Sequence, residues 1–348
     1  MKSSAIIQTE IGGKLILDDI DIPSPKDDQI LLKIFSSGIC HSQLHLMHNN
    51  KLERPLLLGH EAVGIVTKIG KKVTHLKEGD HAIITWVYRT PKKGRPSIEP
   101  TGVKYKGKLC SGNFTWAEDV LINSEFVVPI SKDHPTDITS IIGCAILTGA
   151  GAVMNTAKVK PGNSVAIYGA GGVGLATIKT ASILKADPII VVDIDDIKLK
   201  FAKDFGATHT INSSNVDPIG EITKLTNGGV DFAFDAIGLK ITNEQILPSV
   251  RSGGNRADNT GGTAILIGLP SQNMNLDPGL FVYGQRQFKG SLGAIYPEKD
   301  FETFLRWNKE GKFPLEKLVT KRYKLDQMNE ACSDLKSGKI FGRAIIDL

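Results

Sequence analysis

The chain has 348 residues, of which 41% are hydrophobic and 23% charged, with a formal net charge of +5. That length exceeds one ordinary domain and points to two. The charge excess is mild, with Lys and Arg mixed among Asp and Glu, which excludes the dense basic face of a nucleic-acid-binding protein.

Residues 1–10 lack a charged-then-apolar leader pattern, and no apolar run approaches the roughly 18 residues of a membrane span, so a cytoplasmic location with no membrane partner is expected. Four cysteines occur, Cys40, Cys110, Cys144 and Cys332, with no CxxC pair; a chain of this size needs no disulfide staple. Residues 30–35, 62–69 and 81–86 are short β-branched runs bounded by Gly, Pro or charged residues and read as strands. Gly59, Gly64, Gly70 and Gly79 punctuate them at turn-like intervals. Residues 87–112 carry Pro91, Pro96 and Pro100 among Lys, Arg and Gly, and read as a long excursion that is neither strand nor helix.

From about residue 146 the texture becomes an alternation of strand and helix. Strands are expected at 164–168, 188–193, 230–234 and 264–267, and a helix over 175–187, which contains no Gly or Pro. Such alternation argues for a parallel sheet with crossovers. After 287 the pattern is mixed, with a helix at 299–309 and a last strand at 344–347. The expected layout is a nucleotide-binding domain over 146–287 inserted into a discontinuous first domain of 1–145 and 288–348.

Gly169-Ala170-Gly171-Gly172-Val173-Gly174 satisfies G-x-G-x-x-G between an expected strand and helix. The first glycine suits the tight turn, Gly171 the close approach of a pyrophosphate, and Gly174 the packing of helix on strand. The helix N-terminus then offers N–H groups and a positive dipole end to phosphates. Asp193 follows nineteen positions after Gly174 at the end of the next strand. Its carboxylate would accept from ribose hydroxyls and repel a 2′-phosphate, so NAD(H) is expected over NADP(H). Lys198 lies within reach of the same ribose edge.

Cys40 follows a strand, His60 stands about twenty residues later, and Cys144 just precedes the alternating region. Taken singly, such residues are more often buried fillers or hydrogen-bonded side chains than ligands. Together they offer two thiolates and one imidazole, with a fourth position open. That is the composition of a catalytic rather than a structural zinc site. His60-Glu61 is not the HExxH of a zinc protease.

These features lie within GICHS at 38–42, GHEAVGIV at 59–66, GDHAI at 79–83, GCAILTGAGAV at 143–153, GAGGVG at 169–174, GGVDFAFDAIG at 228–238 and SGKIFGRAII at 337–346. In that order, across essentially the whole chain, they resemble the medium-chain, zinc-dependent alcohol dehydrogenases. The resemblance implies an α/β fold: a GroES-like, β-rich catalytic domain plus a Rossmann, doubly wound parallel-sheet domain. It implies Cys40, His60 and Cys144 as ligands of one catalytic zinc, Glu61 as the acid behind the metal, Ser42 as the hydroxyl against the alcohol and His45 as the end of a proton relay. It further implies Thr148 as a nicotinamide contact, His41 and Arg343 near the pyrophosphate, and Trp86 as a wall of the substrate pocket. Leu269 is assigned to the cofactor and pocket region. The implied reaction interconverts small alcohols with aldehydes or ketones. Apolar, strand-forming sequence at 263–269 and in the 276–288 region offers an interface for a homo-oligomer, a dimer or a tetramer. A zinc-free NADPH-dependent reductase of enones or quinones is disfavoured by the three ligands and by Asp193. A non-catalytic nucleotide-binding protein would have no use for Ser42 and His45.

Two departures from the family pattern stand out. Many relatives carry four closely spaced cysteines in the lobe corresponding to 87–112, binding a structural zinc; here only Cys110 is present, so no structural zinc is expected. Cys332 is expected to be buried filler. Gln43 stands where relatives usually have an Asp that orients the zinc-ligating histidine, and its amide oxygen is expected to accept the imidazole N–H without supplying charge.

Overall fold

In a computed structural model that describes residues 1–91, 101–112, 114–254 and 260–348, the chain begins with β1 (Lys2–Gln8) paired antiparallel with β2 (Ile16–Asp21). Only Ile20 of β2 is buried, among acidic neighbours, so this strand carries little apolar signal. The long β3 (Gln29–Ile39) leads into the short helix α1 (His41–Met47). There follow β4 (Leu56–Leu57), β5 (Ala62–Ile69) and β6 (His81–Ile84). β3 extends past the apolar run at 30–35 because Ser36 and Ser37 are buried with their hydroxyls satisfied, by Ser140 Oγ and the Glu61 carbonyl respectively. A satisfied hydroxyl can be buried without the cost that sequence polarity suggests.

Within the excursion at 87–112, two short strands form where none was expected, β7 (Lys104–Tyr105) and β8 (Lys108–Leu109). Lys106 and Gly107 between them both have positive φ, 49° and 82°, the backbone of a two-residue hairpin whose twist matches its strands. β7 pairs with β2 at Asp21, and the Tyr105 hydroxyl donates to Asp18 at 2.8 Å. Residues 92–100 of this excursion lie outside the described residues. β9 (Asp119–Asn123) and β10 (Val127–Ile130) complete the run.

From α2 (Ala145–Gly151) the chain enters a second unit. β11 (Val165–Tyr168) and β12 (Ile189–Asp193) are buried at every position, as parallel strands covered on both faces must be. α3 (Gly172–Ile183) connects them and stops short of the expected 187: Leu184 caps it, and Lys185 turns left-handed at φ 60° ahead of Pro188. α4 (Asp196–Asp204), β13 (His209–Asn212), α5 (Pro218–Thr226), β14 (Phe232–Asp235), α6 (Lys240–Ser249), β15 (Thr263–Leu266), α7 (Gly279–Val282) and β16 (Gln287–Gly290) follow. The sheet runs β13-β12-β11-β14-β15-β16, parallel throughout. This is the doubly wound order with its switch between β11 and β14.

The chain returns to the first unit at Ile295, later than the 288 expected from sequence, because β16 pairs with β15 and keeps residues 287–290 in the parallel sheet. The return segment contains α8 (Pro297–Lys309), α9 (Leu315–Leu318), β17 (Val319–Tyr323), α10 (Met328–Lys336) and β18 (Arg343–Asp347). β18 pairs antiparallel with the end of β3, Ala344 opposite Ile39. The first unit, Met1–Ala145 with Ile295–Leu348, thus has two sheets, β4-β1-β2-β7-β8 and β10-β6-β5-β3-β18-β17, with β9 also on β3. No helix among the described residues is long and apolar enough to cross a membrane.

Candidate active site

Three separated segments of the first unit place sulfur, nitrogen and oxygen donors together. Cys40 caps α1 in extended conformation directly after β3. His60 and Glu61 sit in the link between β4 and β5. Cys144 ends the 3₁₀ turn Ile138–Gly143. One donor atom from each of Cys40, His60, Glu61 and Cys144 lies within 4.8 Å of every other, and the two sulfurs are 3.8 Å apart. Neither cysteine is in a disulfide.

Local packing fixes each donor. The Thr85 hydroxyl donates to the Gly143 carbonyl at 2.8 Å. A Cβ on Gly143 would sit 2.1 Å from the Ile84 carbonyl oxygen, so only glycine brings the Cys144 backbone this close to β6. The Glu61 carbonyl accepts from the Gly38 N–H and the Ser37 hydroxyl. Gly38 is needed for another reason: its Cβ would lie 2.4 Å from Glu61 Cδ. The Glu61 carboxylate reaches through that gap, pairing Oε1 with Arg343 while Oε2 has no hydrogen-bond partner. Both residues of this ion pair are buried.

The Cys144 thiol is the main group holding the Cys40 thiol well below the ordinary cysteine range, with His60 and Arg343 adding to it against burial, which pushes it up. A thiolate stabilised by its surroundings is what a soft metal requires. By contrast, burial pushes Cys110 and Cys332 up to about 11, so both are inert apolar fillers in the manner expected for Cys332.

Around the donors, the Ser42 hydroxyl lies 3.2 Å from Cys40 Sγ. His41 and His45 lie near each other on α1, ring centroids 5.5 Å apart, and both are exposed. Desolvation lowers the His41 pKa, and the charge of His45 lowers it further. Gln43 corrects the sequence expectation: its Oε1 accepts from the Gly59 N–H at 2.7 Å, so it is Nε2 that faces His60 Nδ1, at 2.5 Å. Arg343 lies buried on Glu61. Trp86, just past β6, is half-buried with its indole N–H unpartnered.

In the second unit the glycine turn has three different environments. Gly169 adopts φ 101°. A Cβ on Gly171 would meet nothing within 4 Å, whereas one on Gly174 would lie 1.8 Å from the Gly169 carbonyl oxygen. Gly171 caps α3 without a side-chain hydrogen bond, and Gly172, Val173 and Gly174 form its first turn. Their N–H groups are the orphan donors that anions seek. Asp193 closes the turn: Oδ2 accepts from the Ala170 N–H at 2.8 Å, and Oδ1 from Ile194 at 2.8 Å and Asp195 at 3.2 Å. Three of a carboxylate's roughly four acceptor positions are therefore committed to backbone. Lys198 is in the first turn of α4, which Asp195 caps. Thr148 is on α2 with its hydroxyl oxygen buried and unpartnered, and Leu269 is exposed beside Gly238.

The sequence assigns Gly38 no role, marks Gly59 only as a turn between strands, and does not join Arg343 to Glu61. Both glycines stand in the quoted motifs, but their need is visible only once the opposing side chains are placed.

Residues 26–132 match the family described as alcohol dehydrogenase GroES-like domain, and residues 172–310 match zinc-binding dehydrogenase. The chain is 30% identical over 368 residues to an S-(hydroxymethyl)glutathione dehydrogenase of Synechocystis, covering 97% of this chain and 98% of that protein. It is 31% identical over 375 residues to alcohol dehydrogenase 1 of Pisum sativum, covering 97% and 95%. Among solved structures, the benzyl alcohol dehydrogenase of Acinetobacter calcoaceticus aligns with a TM-score of 0.89 at 29% identity, covering 100% of this chain and 99% of that one. An alcohol dehydrogenase zinc-binding domain protein of Burkholderia ambifaria aligns at 0.90 and 27%, with the same coverage. With a GroES-like first unit, a Rossmann second unit and homology along nearly its full length, the chain belongs to the medium-chain, zinc-type alcohol dehydrogenase family of oxidoreductases.

Proposed function

We propose that this protein is an NAD(H)-dependent alcohol dehydrogenase that interconverts small alcohols and aldehydes or ketones at one zinc ion per chain. The observation that carries the reading is the convergence of Cys40, His60, Glu61 and Cys144 within 4.8 Å. Two sulfurs, one of them favoured as thiolate, and one imidazole fit zinc and suit neither magnesium nor calcium. In this reading Cys40, His60 and Cys144 hold the metal, and Glu61, tied to Arg343, stays behind it. When bound, the metal supplies Lewis acidity and the dinucleotide supplies a hydride acceptor or donor.

The chain's own residues do the rest. The Ser42 hydroxyl, beside Cys40, takes the substrate proton, and exposed His45 passes it towards solvent. Trp86 offers an apolar wall to the substrate. Gly171 through Gly174 bind the pyrophosphate, while Asp193 with Lys198 reads the ribose and Thr148 orients the nicotinamide. Asp193 has one acceptor position left for a hydroxyl and none for the negative charge of a 2′-phosphate, which supports NAD(H) over NADP(H).

The test is elemental analysis of the purified chain together with alcohol oxidation assays using NAD⁺ and NADP⁺. About one zinc per chain, with turnover that requires NAD⁺ and disappears on chelation, is the expected result. Full activity in metal-free protein would overturn the reading.

A further inference from the structure

The orientation of the Gln43 amide reaches beyond the ligand set, and rests on the reading of Cys40, His60 and Cys144 as a zinc site. Gln43 is 1% exposed, and its Oε1 accepts the buried Gly59 N–H at 2.7 Å. Gly59 has no freedom to turn that N–H elsewhere. It adopts φ 95°, and a Cβ there would lie 2.4 Å from Thr115 Oγ1 and 2.8 Å from the Trp116 nitrogen. The preceding Leu58 carbonyl is pinned by the N–H groups of both Thr115 and Trp116, each at 3.1 Å. A backbone N–H can be met only by an acceptor, so the amide oxygen is committed, and the amide NH₂ is what faces His60 Nδ1.

An NH₂ group has no acceptor capacity. His60 Nδ1 must then be the acceptor of that contact, and the ring proton sits on Nε2. With Nδ1 occupied by Gln43, Nε2 is the nitrogen left for the donor cluster, and a metal needs a nitrogen free of hydrogen. A carboxylate at position 43 would have no such conflict, since it accepts from Gly59 and from a protonated Nδ1 together.

We propose that Gln43 holds His60 in the tautomer that opposes coordination, so that zinc enters this site only as the Gln43 amide turns over and releases the Gly59 N–H. Gln43 is a positioning residue that makes the zinc weakly held and readily exchanged.

The experiment uses the full-length chain and its near-isosteric variant Gln43→Glu. Long-range ¹H–¹⁵N spectra of the metal-free proteins read which ring nitrogen of His60 carries the proton. Competition with a chromophoric chelator reads zinc affinity. The expected result is a proton on Nε2 in the wild type and on Nδ1 in Gln43→Glu, with zinc bound roughly tenfold to a hundredfold more tightly by the variant. The added charge of Glu would tighten zinc by itself, but it would not explain a wild-type proton on Nε2. A wild-type proton on Nδ1, or equal zinc affinities, would overturn the proposal and leave the zinc site intact. Failure of both proteins to bind zinc would instead remove the zinc reading on which it rests.

Discussion

Gly171 and Gly174 stand three residues apart in one turn and respond oppositely to a methyl group. A Cβ at 174 would lie 1.8 Å from the Gly169 carbonyl oxygen. Gly174→Ala must therefore push α3 off β11, and should cost about 1–3 kcal/mol or more in urea unfolding. At 171 there is open space, and the backbone is extended with φ −80°. Gly171→Ala should change stability by less than about 1 kcal/mol, the scale of a cap substitution, yet weaken NADH binding in a fluorescence titration. An alanine at 171 that binds NADH as the wild type does would show that the space is not where the pyrophosphate lies. The glycine pattern was readable in the sequence, because each glycine answers a local demand of strand, turn and helix. The partner of Glu61 and the direction of the Gln43 amide were not. Arg343 is 282 positions from Glu61, and no local pattern predicts that pairing.

At the scale of elements, β11, β12 and β5 stand out in sequence because burial on one or both faces demands apolar residues there. β2, β7, β8 and β13 do not: they are short or largely exposed, and their pairing rests on backbone hydrogen bonds that any side chain permits. The return segment is joined by a polar knot that composition does not advertise either. Asp334 of α10 accepts from Lys321 Nζ at 2.7 Å and the Tyr323 hydroxyl at 2.8 Å on β17, and from Lys339 Nζ at 3.2 Å. Lys321 first, then Tyr323 and Lys339, hold its carboxyl far below the usual carboxylate range. A carboxyl with a depressed folded pKa stabilises the fold above its unfolded value of about 4, and that contribution is lost as pH falls through the lower folded value. The melting temperature of the wild type should thus fall more steeply below pH 4 than that of Asp334→Asn. Parallel curves for the two proteins would mean that the knot does not contribute to stability.

At the scale of the molecule, the donors come from the end of β3, the β4–β5 link and the turn before α2, so a shared metal would tie three parts of the first unit together. A ligand that binds only the folded state stabilises it by about 2.7 kcal/mol at a hundred times its dissociation constant, which for a unit of this size corresponds to a melting shift of roughly 5–10 °C. Chelation should lower the melting temperature by that order, and zinc but not magnesium should restore it. An unchanged melting temperature would separate the cluster from any stapling role. By itself the sequence determined the two-unit organisation, the alternating second half, the dinucleotide-type turn and the identity of the sulfur and nitrogen donors. These depend on residue type and on spacing along the chain, which a linear pattern records. Only the tertiary structure decided that Gly38 makes room for Glu61, that Arg343 neutralises it, and that Gly59 takes the Gln43 oxygen and turns the amide NH₂ towards His60. A hydrogen bond has direction as well as partners, and its direction is set by the folded positions of groups remote in sequence.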